Sequence, residues 1–328
     1  MAHVGGDAIV LRQPGAAEVL KLESVEVPIA GPGQVLIRQE AAGVNFHDIY
    51  VRSGAYQTLP LPGIPGLEGV GRIEALGEGI TGLSVGQRVA WMDPGYGGYA
   101  QFKVADAAIV VPVPDAVDSI TAAAIYLKGL TAHILVANVH SLTAGKRVLV
   151  HAAAGGVGSL VAQMAKARGC LVIGTAGSEE KAERARKAGC DHVILYRTED
   201  VAARVMEWTS GAGVDVAYDA VGKDTFEGSL ASLSKRGHLV NYGQASGPVP
   251  PFEISRLGAK SLSISRPFVW AYVDTREKLT AAAQSLFGAI ADGSLRVEIG
   301  GVFPLGNAAG AHAALEARET GPFVLDCR

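Results

Sequence analysis

Residues 151–160 read HAAAGGVGSL, with glycine at 155, 156 and 158. An apolar run, RVLVHA, precedes them, and LVAQMAKARG follows with apolar residues at helical spacing. A strand, a tight turn and a helix in that order allow backbone N–H groups to cradle a phosphate. The G-x-G-x-x-G frame of dinucleotide-binding turns falls on Ala153, Gly155 and Gly158, with alanine in the first place. Gly155 lets the backbone approach a pyrophosphate, and Gly158 lets the helix pack close to its strand. The helix start at Gly156 and Val157 adds free N–H groups and the positive dipole end. A turn of small residues that only packs would read the same in isolation. The alternation of strands and helices around it favours the ligand.

The next strand bears on which dinucleotide is bound. An NAD site places Asp or Glu near its end, about 20 residues on, for the ribose 2′-hydroxyl. Here the strand ends IGTAGSEEK, so Thr175, Ala176 and Gly177 stand where that acid would be. Ser178 is an N-cap candidate for the helix that follows. Lys181 then falls at N3, where a cation opposes the helix dipole, partly offset by Glu179 and Glu180. A lysine in an unfavourable place beside an absent acid points to a 2′-phosphate, and so to NADPH. The bland alternative is a solvated lysine among exposed charges.

These turns need a scaffold. The chain has 328 residues, 48% hydrophobic and 19% charged, enough for about two domains. Glycine is abundant, 42 residues against a usual ~7%, without a collagen-like period. Up to about residue 110, short strand candidates (34–44, 68–76, 87–92, 99–104) alternate with Gly/Pro clusters, which suggests a small barrel-like β domain. From about residue 120, strands and helices alternate as in a doubly wound parallel sheet. SLSIS (261–265) is its candidate edge strand. A helix is expected over about 275–292, and the tail returns to the β domain. The expected division is therefore 1–125 with 266–328, and 126–265.

A net charge of −3 without a basic cluster predicts no nucleic-acid partner. The apolar run 120–139 is long enough for a bilayer, but Lys128 at its middle argues for a buried helix and no membrane. MAHVGGDAIVLRQPG does not read as a leader. Cys170, Cys190 and Cys327 are widely spaced, as in reduced cytoplasmic proteins.

The stretches AAGVNFHDIYVRSGAY, GLEGVGRIEALGEGI, LKGLTAH, VLVHAAAGGVG, GTAGSEEKA, YDAVGKDTF and ISRP occur here in one order. Together they resemble the zinc-free, zeta-crystallin-like quinone oxidoreductases of the medium-chain dehydrogenase/reductase superfamily, over essentially the whole chain. The resemblance implies an α/β protein, a GroES-like β-barrel-type catalytic domain with a Rossmann domain. Zinc alcohol dehydrogenases of that superfamily carry Cys, His and Cys where this chain has Asn45, Leu67 and Lys128. Leucine cannot ligate a metal and an ammonium repels one, so no metal site is expected.

What the resemblance implies is NADPH-dependent reduction of quinones by hydride transfer without zinc. Asn45 is the first catalytic candidate, as a neutral donor near the nicotinamide or the acceptor carbonyl. Tyr50 and Tyr56 are candidates for donating to the reduced oxygen or lining the slot; either reads equally as a packed aromatic. His47 departs from the aliphatic residue expected there; it could relay a proton, although a satisfied or exposed histidine is the simpler reading. Lys128 needs a partner, with Asp48 one possibility. Asn45, Thr131, Tyr196, Tyr242, Gly243 and Arg266 are implied cofactor contacts, with Arg318 a weaker one. Trp91 and Trp270 either shape the substrate mouth or pack in the core. A homodimer through the SLSIS edge is expected. Reduction of activated alkenes, enones or 2-alkenals, is the alternative. From another class, a crystallin-like or RNA-binding protein could hold NADPH without turnover.

Overall fold

The computed structural model describes residues 5–328; residues 1–4, on which part of the leader reading rests, lie outside the described residues. The chain divides into two units, residues up to Leu127 with Thr275–Arg328, and Lys128–Asp274.

The first unit is mainly antiparallel sheet. A hairpin pairs β1 (Gly5–Val10) with β2 (Lys21–Glu26). β3 (Gln34–Val44) leads into helix α1 (Phe46–Ser53), which ends on Gly54 at φ 83°. β4 (Glu68–Leu76), β5 (Arg88–Met92), β6 (Phe102–Asp106) and β7 (Val110–Pro112) follow. β3 pairs with β4 and β6 and also with the C-terminal strand, so it is buried along most of its length. Val35, Ile37, Ile73, Val89, Trp91 and Val110 make its core. Trp91 is therefore a core residue and not part of a mouth: it is fully buried, and its indole N–H donates to Gln39 Oε1 at 3.1 Å.

Helix α2 (Ser119–Ile134) carries the long apolar run and closes in a π-turn, Leu135–Val139. By length and composition Ser119–Val139 could cross a membrane, yet 72% of its apolar window is buried within the protein.

The second unit is a parallel sheet of six strands. In chain order these are β8 (Arg147–Val150), β9 (Leu171–Ala176), β10 (His192–Leu195), β11 (Val214–Asp219), β12 (Leu233–Asn241) and β13 (Ser263–Ser265). Across the sheet the order is β10-β9-β8-β11-β12-β13. Helices α3 (Gly156–Ala167), α4 (Glu179–Lys187), α5 (Val201–Trp208) and α6 (Phe226–Ser232) connect the strands. Leu149, Ile173, Ile194, Ala217 and Leu239 fill its core, consistent with strands that read as continuous apolar runs.

In the stretch TFEGSLASLSKRG the helix stops at Ser232, short of the glycine. Leu233 is fully buried and pairs with Val214, and the register then slips so that His238 meets Val216. Burial of Leu233 outweighs the helical propensity of a short polar stretch. The chain returns to the first unit through α7 (Arg276–Ala291), β14 (Gly301–Pro304), α8 (Ala308–Glu316) and β15 (Phe323–Asp326).

Candidate active site

The glycine turn is built from backbone. β8 ends at Val150, and α3 begins at Gly156 with Gly155 as its N-cap. Ala152 sits at φ 51° and its carbonyl accepts from Gly155 N at 2.8 Å. A Cβ on Gly158 would stand 2.3 Å from that carbonyl oxygen, so only glycine lets α3 approach the turn this closely. A Cβ on Gly155 would stand 3.1 Å from the same oxygen, and one on Gly156 3.0 Å from Lys128 Cδ. Ala153 N donates to Thr175 O at 3.1 Å, which ties the turn to the end of β9.

A buried polar network braces the turn, and sequence reasoning did not find it. His151 is 1% exposed; its Nε2 lies 2.9 Å from Ser229 Oγ and its Nδ1 3.3 Å from Thr175 Oγ1. Ser229 donates to Asp219 Oδ2 at 3.3 Å, and Asp219 also accepts from Thr225 Oγ1 and from the N–H groups of Val221 and Gly222. Burial holds the His151 pKa below its ordinary value, against the pull of Asp219. Ser, His and Asp in contact resemble a nucleophilic triad. Ser229 is fully buried, and His151 turns its second nitrogen to a threonine rather than the carboxylate, so the arrangement is a brace.

Past β9 stand Gly177, Ser178 and Lys181. Ser178 caps α4 by accepting from Lys181 N at 3.4 Å. A Cβ on Gly177 would lie 2.7 Å from the Tyr196 hydroxyl, so the half-exposed tyrosine ring lies against the turn that lacks the acid. At the end of β12, Tyr242 N donates to Asp219 O at 2.9 Å. The Tyr242 hydroxyl is buried without a hydrogen-bond partner among the described residues, and burial raises its pKa. A Cβ on Gly243 would meet Ala220 O at 2.5 Å. Arg266 donates to Gly243 O at 2.9 Å and to Asn241 Oδ1, so it braces this loop. Thr131 is half-buried on α2, one turn after the buried Lys128. Trp270 lies beside Phe268, ring centroids 4.7 Å apart.

The cluster in the first unit is built from side chains. Asn45 precedes α1, and its backbone N–H donates to Asp48 Oδ2 at 2.8 Å. Its side-chain nitrogen donates to Glu68 Oε1 at 2.9 Å, with a long 3.5 Å contact to Gly43 O. Glu68 is fully buried, and its other oxygen accepts from Leu127 N at 2.7 Å. In this arrangement the Asn45 side-chain nitrogen is engaged by Glu68 within its own unit. Asp48 further accepts from Tyr99 at 3.0 Å, and Tyr99 meets His312 Nε2, also at 3.0 Å. Burial, then Arg52, lowers the His312 pKa to about 3.

Tyr50 and Tyr56 come together, ring centroids 5.0 Å apart, and His47 meets Tyr56 edge-on at 5.2 Å. His47 Nε2 lies 3.0 Å from the Tyr96 hydroxyl, which also bonds Thr58 Oγ1. Burial lowers the His47 pKa to about 4. Glu68, Tyr96, Tyr99 and His312 went unnoticed in the sequence. Each is far along the chain from Asn45, and no fixed spacing marks it. Leu67 is buried at 2% exposure, and among the described residues no three His, Cys, Asp or Glu side chains gather as a metal site.

Two family models match the chain, the alcohol dehydrogenase GroES-like domain over residues 31–115 and zinc-binding dehydrogenase over 156–286. A quinone oxidoreductase of Pseudomonas aeruginosa is 45% identical over 93% of this chain and 94% of its own length. A 2-haloacrylate reductase of Burkholderia is 41% identical over 97% and 98%. The solved structure of Escherichia coli quinone oxidoreductase complexed with NADPH superposes with a TM-score of 0.93 at 38% identity, covering 98% of this chain and 99% of that one.

Proposed function

This chain belongs to the quinone oxidoreductases of the medium-chain dehydrogenase/reductase superfamily, and from that premise we propose that it reduces quinones with NADPH. The observation that carries the reading is the turn at 151–158. A Cβ on Gly158 would collide with a main-chain oxygen, and where an NAD site places its acid the strand end holds Thr175, Ala176 and Gly177, with Ser178, Lys181 and Tyr196 beside them. Gly155, Gly156, Val157 and Gly158 hold the pyrophosphate with backbone N–H groups at a helix start. Lys181 reads the 2′-phosphate, and Tyr196 packs near it. Thr131, Tyr242, Gly243 and Arg266 shape the nicotinamide side, where the buried, unpartnered Tyr242 hydroxyl fits a polar ligand group. When bound, the dihydronicotinamide supplies a hydride.

The reaction proceeds without zinc. Asn45 is tied to Glu68, and Leu67 and Lys128 offer no metal donor. Quinones are electrophilic enough to accept hydride without a strong Lewis acid. Tyr50 and Tyr56 line the acceptor slot. The protein acts in the cytoplasm, its three cysteines free and buried, and forms a homodimer along β13, the last strand of its sheet. Sedimentation equilibrium checks the dimer; a mass of one chain would remove it.

The likeness to a 2-haloacrylate reductase supports a second reading, reduction of an activated alkene. NADPH oxidation with 1,4-benzoquinone, 9,10-phenanthrenequinone, enones and 2-haloacrylate separates the two. The quinones are expected to turn over fastest. Faster turnover of an alkene than of every quinone would reverse the order.

A further inference from the structure

Hydride transfer leaves the reduced quinone one proton short. Two polar chains of the first unit reach the start of α1 beside Asn45. One runs from Arg52 through His312 and Tyr99 to Asp48, and it ends on the backbone N–H of Asn45. An amide N–H does not ionise, so this chain braces α1 and delivers nothing. Asn45 cannot supply the proton either, because its donors face Glu68 and Gly43.

The other chain is different. We propose that His47, Tyr96 and Thr58 form a proton relay from solvent to the reduced acceptor oxygen, with His47 the catalytic residue. The proposal rests on the quinone-reductase reading above. Thr58 is exposed, Tyr96 is 2% exposed and His47 is half-buried, so the chain runs from the surface inward. Every link is a group that can both give and take a proton. His47 sits on the first turn of α1, two residues past Asn45, and packs against Tyr56.

The backbone around Tyr96 is clamped. Tyr96 has φ 68°, a left-handed conformation uncommon for an aromatic residue. Lys103 Nζ donates to Tyr96 O at 2.5 Å and to Asp93 Oδ2 at 2.9 Å, and Tyr96 N donates to Asp93 O at 3.1 Å. That clamp turns the ring so that its hydroxyl lies between His47 and Thr58. Burial keeps His47 neutral at pH 7, so it passes a proton on without storing one.

The step balances. The hydride brings the electron pair to the acceptor. The His47 Nδ1–H bond breaks as the acceptor O–H bond forms. Nε2 takes the Tyr96 proton, Tyr96 takes that of Thr58, and water reprotonates Thr58. No ion is left in the chain, and exchange with water after product release returns the ring to its Nδ1–H form. Tyr96 and Thr58 act through His47 and are positioning residues.

The test uses the full chain with NADPH and 1,4-benzoquinone in single turnovers. Tyr96→Phe and His47→Leu should each slow reduction about tenfold or more, the low end for losing a proton-transfer group. The NADPH Kd should be unchanged, and the normal solvent deuterium effect of the parent should be lost in the variants. Thr58→Val, at the exposed end, carries the same expectation should Tyr96→Phe fail to fold. Parent rates and an unchanged solvent effect in the variants would overturn the relay. Nitrogen-15 NMR tests it independently of turnover: Nδ1–H on His47 supports the relay, and Nε2–H refutes it. A protein that reduces no quinone at all would sink the functional reading, while the NMR result would still judge the relay's geometry.

Discussion

The two units build their sites by different means. In the second, the proposed phosphate surface is main chain: Ala152, Gly155, Gly156 and Gly158 lie within seven consecutive residues between one strand and one helix. In the first, the site is side chain, and its parts come from β4, α1 and the loop before β6, with α8 behind them. A backbone site must be contiguous, because the N–H groups of one helix start converge only there. A side-chain site needs no such continuity. On the proposed reading, the phosphate site is fixed by a short motif, whereas the acceptor site is open to change one residue at a time.

The largest effect should come from filling the turn. Gly158→Ala places a methyl 2.3 Å from a main-chain oxygen, so the turn or α3 must move. Overpacking of this kind costs about 1–3 kcal/mol, or roughly 5- to 150-fold in NADPH affinity if the strain falls on the bound state. Thermal stability should fall as well. Gly155→Ala separates the two consequences. Gly155 has φ −80° and its Cβ would be only slightly crowded, at 3.1 Å. Its melting temperature should barely change while NADPH binding weakens, as measured by fluorescence titration. Unaltered NADPH affinity in Gly155→Ala would show that the backbone there is not the phosphate surface.

The same contrast decides what the sequence made legible. The turn, its strand and its helix are neighbours in the chain, so spacing alone identified them, and the absent acid at Gly177 was visible by inspection. The sheet edge at β13 was legible for the same reason. Asn45 was visible as a position but not as a contact. Its partner Glu68 lies 23 residues away, and only the pairing of β3 with β4 brings the two together. Tyr96 gave no signal either, because nothing in GYGG indicates which residue takes φ 68°. Long-range pairing brought Glu68 and His312 to their places, and a local backbone angle set Tyr96, neither of which spacing reveals.

A smaller effect probes the one place where the nucleotide unit reads by side chain. Lys181→Ala should weaken NADPH about tenfold, the loss of roughly 1.4 kcal/mol, and leave NADH unchanged. Ser178 still caps α4 in that variant, since it accepts from the backbone of residue 181. Equal losses for both cofactors would remove the 2′-phosphate role and leave Lys181 a surface charge.

One histidine of each unit is set differently against acid. His312 and His151 are both buried, and in both burial lowers the pKa. Their neighbours pull in opposite directions. Arg52 lowers His312 further, to about 3, whereas Asp219 raises His151. In each case the folded pKa lies below the unfolded value near 6.5, so below that pH the unfolded chain binds the proton first. Stability is therefore complete above about pH 6.5 and declines as pH falls, by at most about 1.4 kcal/mol per pH unit for each group. The decline stops once the folded state also takes the proton, which His312 resists to lower pH than a histidine facing a carboxylate. His312→Gln should accordingly flatten the acid side of the urea-midpoint profile down to about pH 3, and His151→Gln only over its upper part. The opposite order would mean that the partner charge does not govern how a buried histidine in this fold meets acid.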